Sequence, residues 1–126
     1  MISIIIPAYN EVQAIEQVVK EGAELVVLPE MWNTAYALNQ LEELADREGN
    51  QTKHFLSELA LKHQIHIVGG SVSTKKGDQF YNTMYVFTNQ GELVAEYDKA
   101  HLFRLMDEHL YLHAGNKENI FSLGSI

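Results

Sequence analysis

The feature that most constrains this chain is a strand–helix–strand pattern in its first 28 residues. Isoleucines at positions 2, 4, 5 and 6 form a β-branched stretch that Pro7 ends, which is typical of a buried strand. Apolar residues then recur at helical spacing: Val12, Ile15, Val18 and Val19. A second apolar run, Leu25 to Leu28, ends at Pro29. This order predicts a right-handed crossover between two parallel strands.

The rest of the chain adds two helices, a further strand and a hairpin. The predicted elements are helices at 38–45 and from Asn50 onward, and strands at 65–68, 80–88 and 92–97. Asn50 or Thr52 is expected to cap the second of these helices. Val72 is expected to continue the strand 65–68 toward a turn at 75–78. The order β-α-β-α-α-β-β-β, followed by a tail without clear periodicity, predicts a mixed α/β sheet with helices on at least one face.

Composition and charge exclude several classes of protein and partner. The 126 residues give room for one domain, and 17 acidic against nine basic residues give a net charge of -8. We therefore expect neither nucleic acid nor an anionic membrane as the main partner. The longest apolar run is too short to span a bilayer and no signal-peptide pattern is present, so we expect a cytoplasmic protein. The sequence has no cysteine, which excludes disulfides, thiolate metal sites and a cysteine nucleophile within it.

Two charged residues follow predicted strand ends, where open α/β sheets place their ligands. Glu30 lies just past the strand 25–28, beside Trp32, and a half-buried carboxylate there can have a raised pKa and act as a general base. Lys99 follows the strand 92–97, and its ammonium can stabilise an oxyanion or hold a substrate carboxylate. By position alone, a solvated loop glutamate and an ordinary surface lysine are the commoner outcomes. Position therefore leaves both interpretations open.

Longer motifs around these two residues resemble a known family. The segment Leu25 to Tyr36, LVVLPEMWNTAY, is similar to the glutamate motif of the nitrilase (carbon–nitrogen hydrolase) superfamily, and Tyr97 to Phe103, YDKAHLF, resembles its lysine motif. Further stretches that resemble the family are His66 to Ser71, Tyr81 to Thr83, Glu108 as its second glutamate, and Ala114 to Asn116 as the turn after it. The resemblance runs from about residue 21 to residue 126 and is greatest to the bacterial omega-amidase-type branch.

The resemblance implies the N-terminal half of an αββα sandwich, with a mixed sheet and helices on one face. It also implies an amidohydrolase for non-peptide carbon–nitrogen bonds, whose substrate is a small-molecule amide and which needs no cofactor or metal. Glu30 would take the proton from a cysteine thiol, Lys99 would stabilise the tetrahedral oxyanion, and Glu108 would orient the lysine and the substrate. The family's cysteine follows the next strand, beyond Ile126, so we expect no amidase activity from this polypeptide alone.

Two other hypotheses remain open. One is a non-catalytic truncated remnant or interaction module, whose uncovered sheet face and unpaired edge predict a marginally stable chain or a homo-oligomer. The other rests on residues 1–20, which we separate from the partial hydrolase domain at 21–126 as an atypical opening strand and helix. These residues resemble the start of GT-A-fold glycosyltransferases, which need a closely spaced acidic pair to hold a metal. No two aspartates are so spaced here, so sugar transfer ranks third.

The histidines of the tail raise the question of a metal site. His109 and His113 are four residues apart and, with His101 or Glu108, could bind a metal if the segment were helical. The helical periodicity of the tail is weak, and no pattern of orienting partners follows. We therefore predict no metal site.

Overall fold

A mixed sheet forms the centre of the computed structural model, which describes residues 2–4 and 11–126, with side chains from residue 13 onward. In this part of the chain the sheet has seven strands: β1 Ile2–Ile4, β2 Leu25–Val27, β3 Asp46–Arg47, β4 His66–Val68, β5 Val72–Lys76, β6 Gln79–Phe87 and β7 Leu93–Asp98. The helices are α1 Glu11–Lys20, α2 Leu41–Leu44, α3 Asn50–His63 and α4 Glu108–Tyr111, with 3-10 turns at Leu38–Gln40 and Arg104–Met106. None of these helices is long and apolar enough to cross a membrane.

The long strand β6 joins the two halves of the sheet. β1, β2 and β4 are parallel, as the strand–helix–strand pattern predicts. β6 pairs antiparallel with β4 and β5 along one edge and with β7 along the other. The short β3 extends the sheet by pairing parallel with β5. The predicted mixed α/β sheet is confirmed.

One face of the sheet is covered by α1 and α3. Ile15 of α1 and an aliphatic stripe of α3 pack on alternate residues of the strands, because successive strand side chains point to opposite faces. The buried cluster consists of Ile15, Val26, Leu28, Leu56, Leu59, Ala60, Ile65, Ile67, Val72, Tyr85 and Phe87. The two longest helices therefore lie on the same face of the sheet, consistent with the expected arrangement.

The opposite face carries its own apolar strip, part of which the C-terminal segment covers. Leu25, Val86 and Ala95 are buried there together with Leu123, and Phe121 packs against the same cluster. Val27, Val68 and Met84 on this face are only partly buried. Residues of the tail therefore cover part of the sheet face that the sequence predicted to be uncovered, and the rest of it stays partly exposed.

The structure differs from the sequence predictions at several points. Gly69 and Gly70 separate β4 from Val72, which instead begins β5. Asp46, which lies before α3 in the sequence, caps the N-terminus of this helix by accepting the backbone N–H groups of residues 51 and 52, at 3.3 and 2.7 Å. The prediction that Asn50 or Thr52 caps it is wrong. Residues 5–10, which include the predicted end of the first strand and much of the glycosyltransferase-like opening, lie outside the described residues.

Candidate active site

The loop that follows β2 is fixed to β4 and β5 by polar contacts. Asn33 pairs with the backbone of Ser73, accepting its N–H at 2.8 Å and donating to its carbonyl at 3.1 Å, as a neighbouring strand would. The indole N–H of Trp32 donates to the carbonyl of Gly69 at 2.9 Å. The position of Glu30 at the start of this loop is therefore set by the sheet.

The same loop contains left-handed backbone conformations that residues other than glycine rarely adopt. Met31, Ala35 and Tyr36 have φ values of 54°, 46° and 65°. Each such left-handed residue costs about 1–2 kcal/mol, so the conformation persists only where surrounding contacts determine it. Here the backbone N–H of Met31 donates to Ser71 Oγ at 3.0 Å. The strain lies directly beside a candidate functional group.

The structure brings the three predicted site residues together. Lys99, directly after β7, places its Nζ 2.9 Å from Glu30 Oε1, 3.2 Å from Glu108 Oε1 and 3.1 Å from Glu108 Oε2. The side chain of Glu30 is 45% exposed, that of Lys99 26%, and that of Glu108 is fully buried. The ammonium therefore bridges one half-exposed and one buried carboxylate.

Glu108 reaches this position through the tail that showed no sequence periodicity. It begins the short α4, and its Oε2 accepts the backbone N–H of Phe103 at 2.7 Å. Two backbone hydrogen bonds hold the tail against the sheet and the residue after β7. The N–H of His113 donates to the carbonyl of Phe80 at 2.7 Å, and the N–H of Gly115 donates to the carbonyl of Lys99 at 3.0 Å. Contacts distant in sequence, rather than helical propensity, hold this carboxylate in place.

Two further residues contact Glu30 and were not singled out as site residues from the sequence. Asn82 of β6 donates from Nδ2 to Glu30 Oε1 at 2.9 Å, and the Tyr36 hydroxyl also donates to this carboxylate. Asn82 carries a signal that sequence reasoning could have used, since it is polar between Phe80 and Met84 on the apolar side of a strand. Tyr36 lies inside the glutamate motif but has no distinguishing spacing.

The cluster sets the charge of its own members. Burial raises the pKa of Glu30, but hydrogen bonds from Lys99, Tyr36 and Asn82 outweigh it. Its pKa therefore lies below the ordinary value, and the raised pKa expected from its half-buried position is wrong. For Lys99, burial lowers the pKa, but the contacts with the two carboxylates raise it by more, so the pKa of Lys99 lies above its ordinary value. Burial and the nearby Glu30 raise the pKa of the Tyr36 hydroxyl. At neutral pH the site holds a carboxylate, an ammonium and a neutral phenol.

A cleft of about 290 Å³ adjoins the charged groups on the sheet face opposite α1 and α3. Its wall consists of Val27, Leu28, Glu30, Val68, Gly70, Ser71, Asn82, Met84, Tyr97 and Lys99. A larger cleft of about 710 Å³ lies between the loop at residues 32–33 and the start of α3, and it contains none of the predicted site residues. In the part of the chain that the structure describes, no three His, Asp or Glu side chains are grouped to hold a metal ion. The smaller cleft combines apolar walls with a carboxylate and an ammonium.

The two shifted pKa values predict a stability plateau with two limits. The pKa of Glu30 is below its ordinary 4.5, so its contribution is present above pH 4.5 and is lost as the pH falls through the lowered value. The pKa of Lys99 is above its ordinary 10.5, so its contribution is present below pH 10.5 and is lost as the pH rises through the raised value. We expect Tm measured against pH to show a shallower acid limb in Glu30→Gln than in the parent chain. An unchanged acid limb would contradict the assignment.

The sequence is similar to those of known carbon–nitrogen hydrolases and amidases. The family model described as carbon-nitrogen hydrolase matches residues 10–125. A 2-oxoglutaramate amidase of Bacillus subtilis is 49% identical over 104 residues, which cover 82% of this chain and 40% of the relative. A chloroplastic omega-amidase of Arabidopsis thaliana is 38% identical over 96 residues, covering 72% of this chain and 26% of the relative. The chain thus spans less than half the length of these relatives.

Solved structures show the same partial match. A Saccharomyces cerevisiae protein described as a member of branch 10 of the nitrilase superfamily superposes with a TM-score of 0.75 at 31% identity. The match covers 86% of this chain and 42% of that protein. These comparisons confirm the predicted resemblance and its restriction to part of each relative.

Proposed function

Because this chain belongs to the carbon–nitrogen hydrolase family, we propose that its charged cluster is the base-and-cation part of a site that hydrolyses small carboxamides. The observation that carries the proposal is the contact of Lys99 Nζ with both Glu30 and Glu108, at 2.9 and 3.1 Å. The similarity to a 2-oxoglutaramate amidase and an omega-amidase supports an amide of a short dicarboxylic acid as the substrate class.

Glu30 has the properties of a general base for this reaction. It borders the cleft, and with a pKa at or below the ordinary glutamate value it is ionised at neutral pH and able to accept a proton. In the proposed reaction it takes the proton from a thiol, and the resulting thiolate attacks the amide carbon. Glu30 gives this proton to the departing ammonia or amine as the carbon–nitrogen bond breaks and a thioester remains. Water then attacks the thioester, which releases the acid and restores the thiol. Since the 126 residues contain no cysteine, the chain by itself supplies the base and the cation but no thiol.

Lys99 has the properties of an oxyanion-stabilising group. An ammonium has three donor hydrogens, and contacts with two carboxylates occupy two of them. The third can donate to the oxygen that becomes negative when the amide carbon is attacked. Glu108, buried and held by the backbone of Phe103, fixes the direction of the ammonium. In this proposal Glu108 orients the lysine.

A chimera tests the proposal. In the Bacillus subtilis 2-oxoglutaramate amidase, the matching segment is replaced with that of this chain, and hydrolysis of 2-oxoglutaramate is measured. We expect turnover by the chimera, and a loss of at least about 100-fold in kcat when Glu30→Gln removes the base. Glu42→Gln is the matched control, because Glu42 pairs with Lys75 at the surface and lies outside the cleft. The control is expected to keep the chimera's kcat.

The chain alone gives the complementary result. We expect no hydrolysis of succinamate by the purified 126-residue chain, because no thiol is present to attack the amide. Turnover by this chain, free of contaminating enzyme, would overturn the proposed chemistry. An active chimera whose kcat does not change with Glu30→Gln would overturn the role of Glu30.

A further inference from the structure

Asn82 lies between the two charged residues of the cleft and contacts both of them. Its side-chain Nδ2 donates to Glu30 Oε1 at 2.9 Å, while its backbone carbonyl accepts the N–H of Lys99 at 2.8 Å. The residue is 2% exposed, in the middle of β6, where Ser73 on β5 is its pairing partner. One residue of a rigid central strand therefore links the candidate base to the candidate cation.

We propose that Asn82 is a positioning residue for the amide hydrolysis proposed above: it holds the Glu30 carboxylate against the sheet, in register with Lys99. Glu30 needs such a contact because it begins a loop rich in left-handed residues and its side chain is half-exposed. The Lys99 ammonium sits at the end of a flexible stem, whereas the Asn82 amide is attached by a short side chain to a paired strand. The third donor to this carboxylate, Tyr36, belongs to the same loop as Glu30 and is itself left-handed. Of the three donors, Asn82 is therefore the one that fixes direction from the sheet.

The amide oxygen of Asn82, Oδ1, shows whether this residue positions Glu30 or serves only to stabilise the fold. Its Oδ1 is buried and has no hydrogen-bond partner among the residues that the structure describes. A buried acceptor without a partner destabilises the folded state, and an apolar side chain of similar shape would avoid this cost. The neighbours Phe80 and Met84 on the same side of β6 are apolar. The Oδ1 atom therefore gives no reason for an amide at this position, and the donor from Nδ2 to Glu30 does.

The test is the titration of Glu30 in the full 126-residue chain, followed by the carboxyl ¹³C resonance. Asn82→Leu removes the donor to the ionised carboxylate, so we expect Glu30 to titrate at higher pH than in the parent chain. The raised pKa removes part of the stability that Glu30 contributes at neutral pH, and loss of the unpartnered Oδ1 offsets this, so we expect the unfolding free energy to stay nearly unchanged. Asn82→Ser, whose hydroxyl is too short to reach Glu30, is expected to give the same shift of the titration if the leucine variant fails to fold.

Thr83→Val is the matched control. Thr83 is the next residue of the same strand, is fully buried, and donates to Asp98 on the opposite face at 2.6 Å. We expect this variant to lose stability while Glu30 titrates as in the parent. A structural role for Asn82 gives the reverse of our expectation: loss of stability in Asn82→Leu with the Glu30 titration unchanged in the leucine and serine variants.

The chimera separates this inference from the proposed function. We expect Asn82→Leu to lower its kcat by about 10-fold or more, with KM nearly unchanged, because the base is misdirected while substrate contacts remain. A shifted Glu30 titration with unchanged kcat would overturn the positioning role alone. Full activity in Glu30→Gln would instead overturn the role of Glu30 as the base and leave the titration result standing.

Discussion

Replacement of Lys99 with methionine is expected to destabilise the chain by about 3 kcal/mol. The methionine keeps most of the apolar stem but removes the ammonium that lies 3.1 Å from Glu108 Oε2. Glu108 is fully buried, and its remaining partner is the backbone N–H of Phe103. A buried carboxylate left without its cation costs far more than the net stability of the pair itself. Urea unfolding of the variant and the parent measures the difference.

Lys76 provides the matched control for this prediction. Its ammonium also contacts two carboxylates, Glu96 at 3.2 Å and Asp98 at 2.8 Å, but their side chains are 40% and 23% exposed. Lys76→Met is therefore expected to cost no more than about 1 kcal/mol. The double variant Lys99→Met with Glu108→Gln is expected to regain most of the lost stability, because no buried charge remains. Equal losses in the two lysine variants would show that burial of Glu108 does not set the cost.

The sequence predicted the site residues that follow strand ends. Local periodicity located the two strands, and Glu30 lies three residues after the end of β2 while Lys99 follows β7 directly. Position alone left both residues open, and the motifs of the family resemblance singled them out as site residues. That the two strand ends meet in space follows from sheet topology, which the early strand–helix–strand pattern only partly determines. Glu108 was identified from the family resemblance, since nothing in the tail's own periodicity placed it.

The elements that were missed depend on contacts distant in sequence. The two-residue β3 exists only because Asp46 pairs with Thr74 and Arg47 with Lys75 on β5. The helix α4 has four residues, too few to be stable alone. Propensity describes short-range energetics, so it could not predict structures held by such contacts. The contact between Asn82 and Glu30 was missed for a related reason, since the two residues are 52 positions apart.

Substitution of Gly70 with alanine is expected to destabilise the chain about as much as Lys99→Met does, but through steric overlap. Gly70 has a φ of 60°, and a Cβ there would lie 1.9 Å from the carbonyl oxygen of Pro29 and 2.6 Å from that of Leu28. Both are backbone atoms immediately before Glu30, so the chain must move to relieve the overlap. The left-handed conformation costs an alanine about 1–2 kcal/mol, and overpacking adds about 1–3 kcal/mol. We expect a total loss of about 2–5 kcal/mol in urea unfolding.

Gly77 separates the two contributions, because it has the same φ of 60° but nothing within 4 Å of the Cβ position. Gly77→Ala should therefore show the conformational cost alone, about 1–2 kcal/mol. The excess loss in Gly70→Ala measures how firmly the backbone before Glu30 is packed against the β4–β5 connection. Because that backbone carries Glu30, we also expect the Glu30 titration to change in Gly70→Ala and not in Gly77→Ala. Equal losses and unchanged titrations would mean that the loop can move at little cost and that its packing does not position the carboxylate.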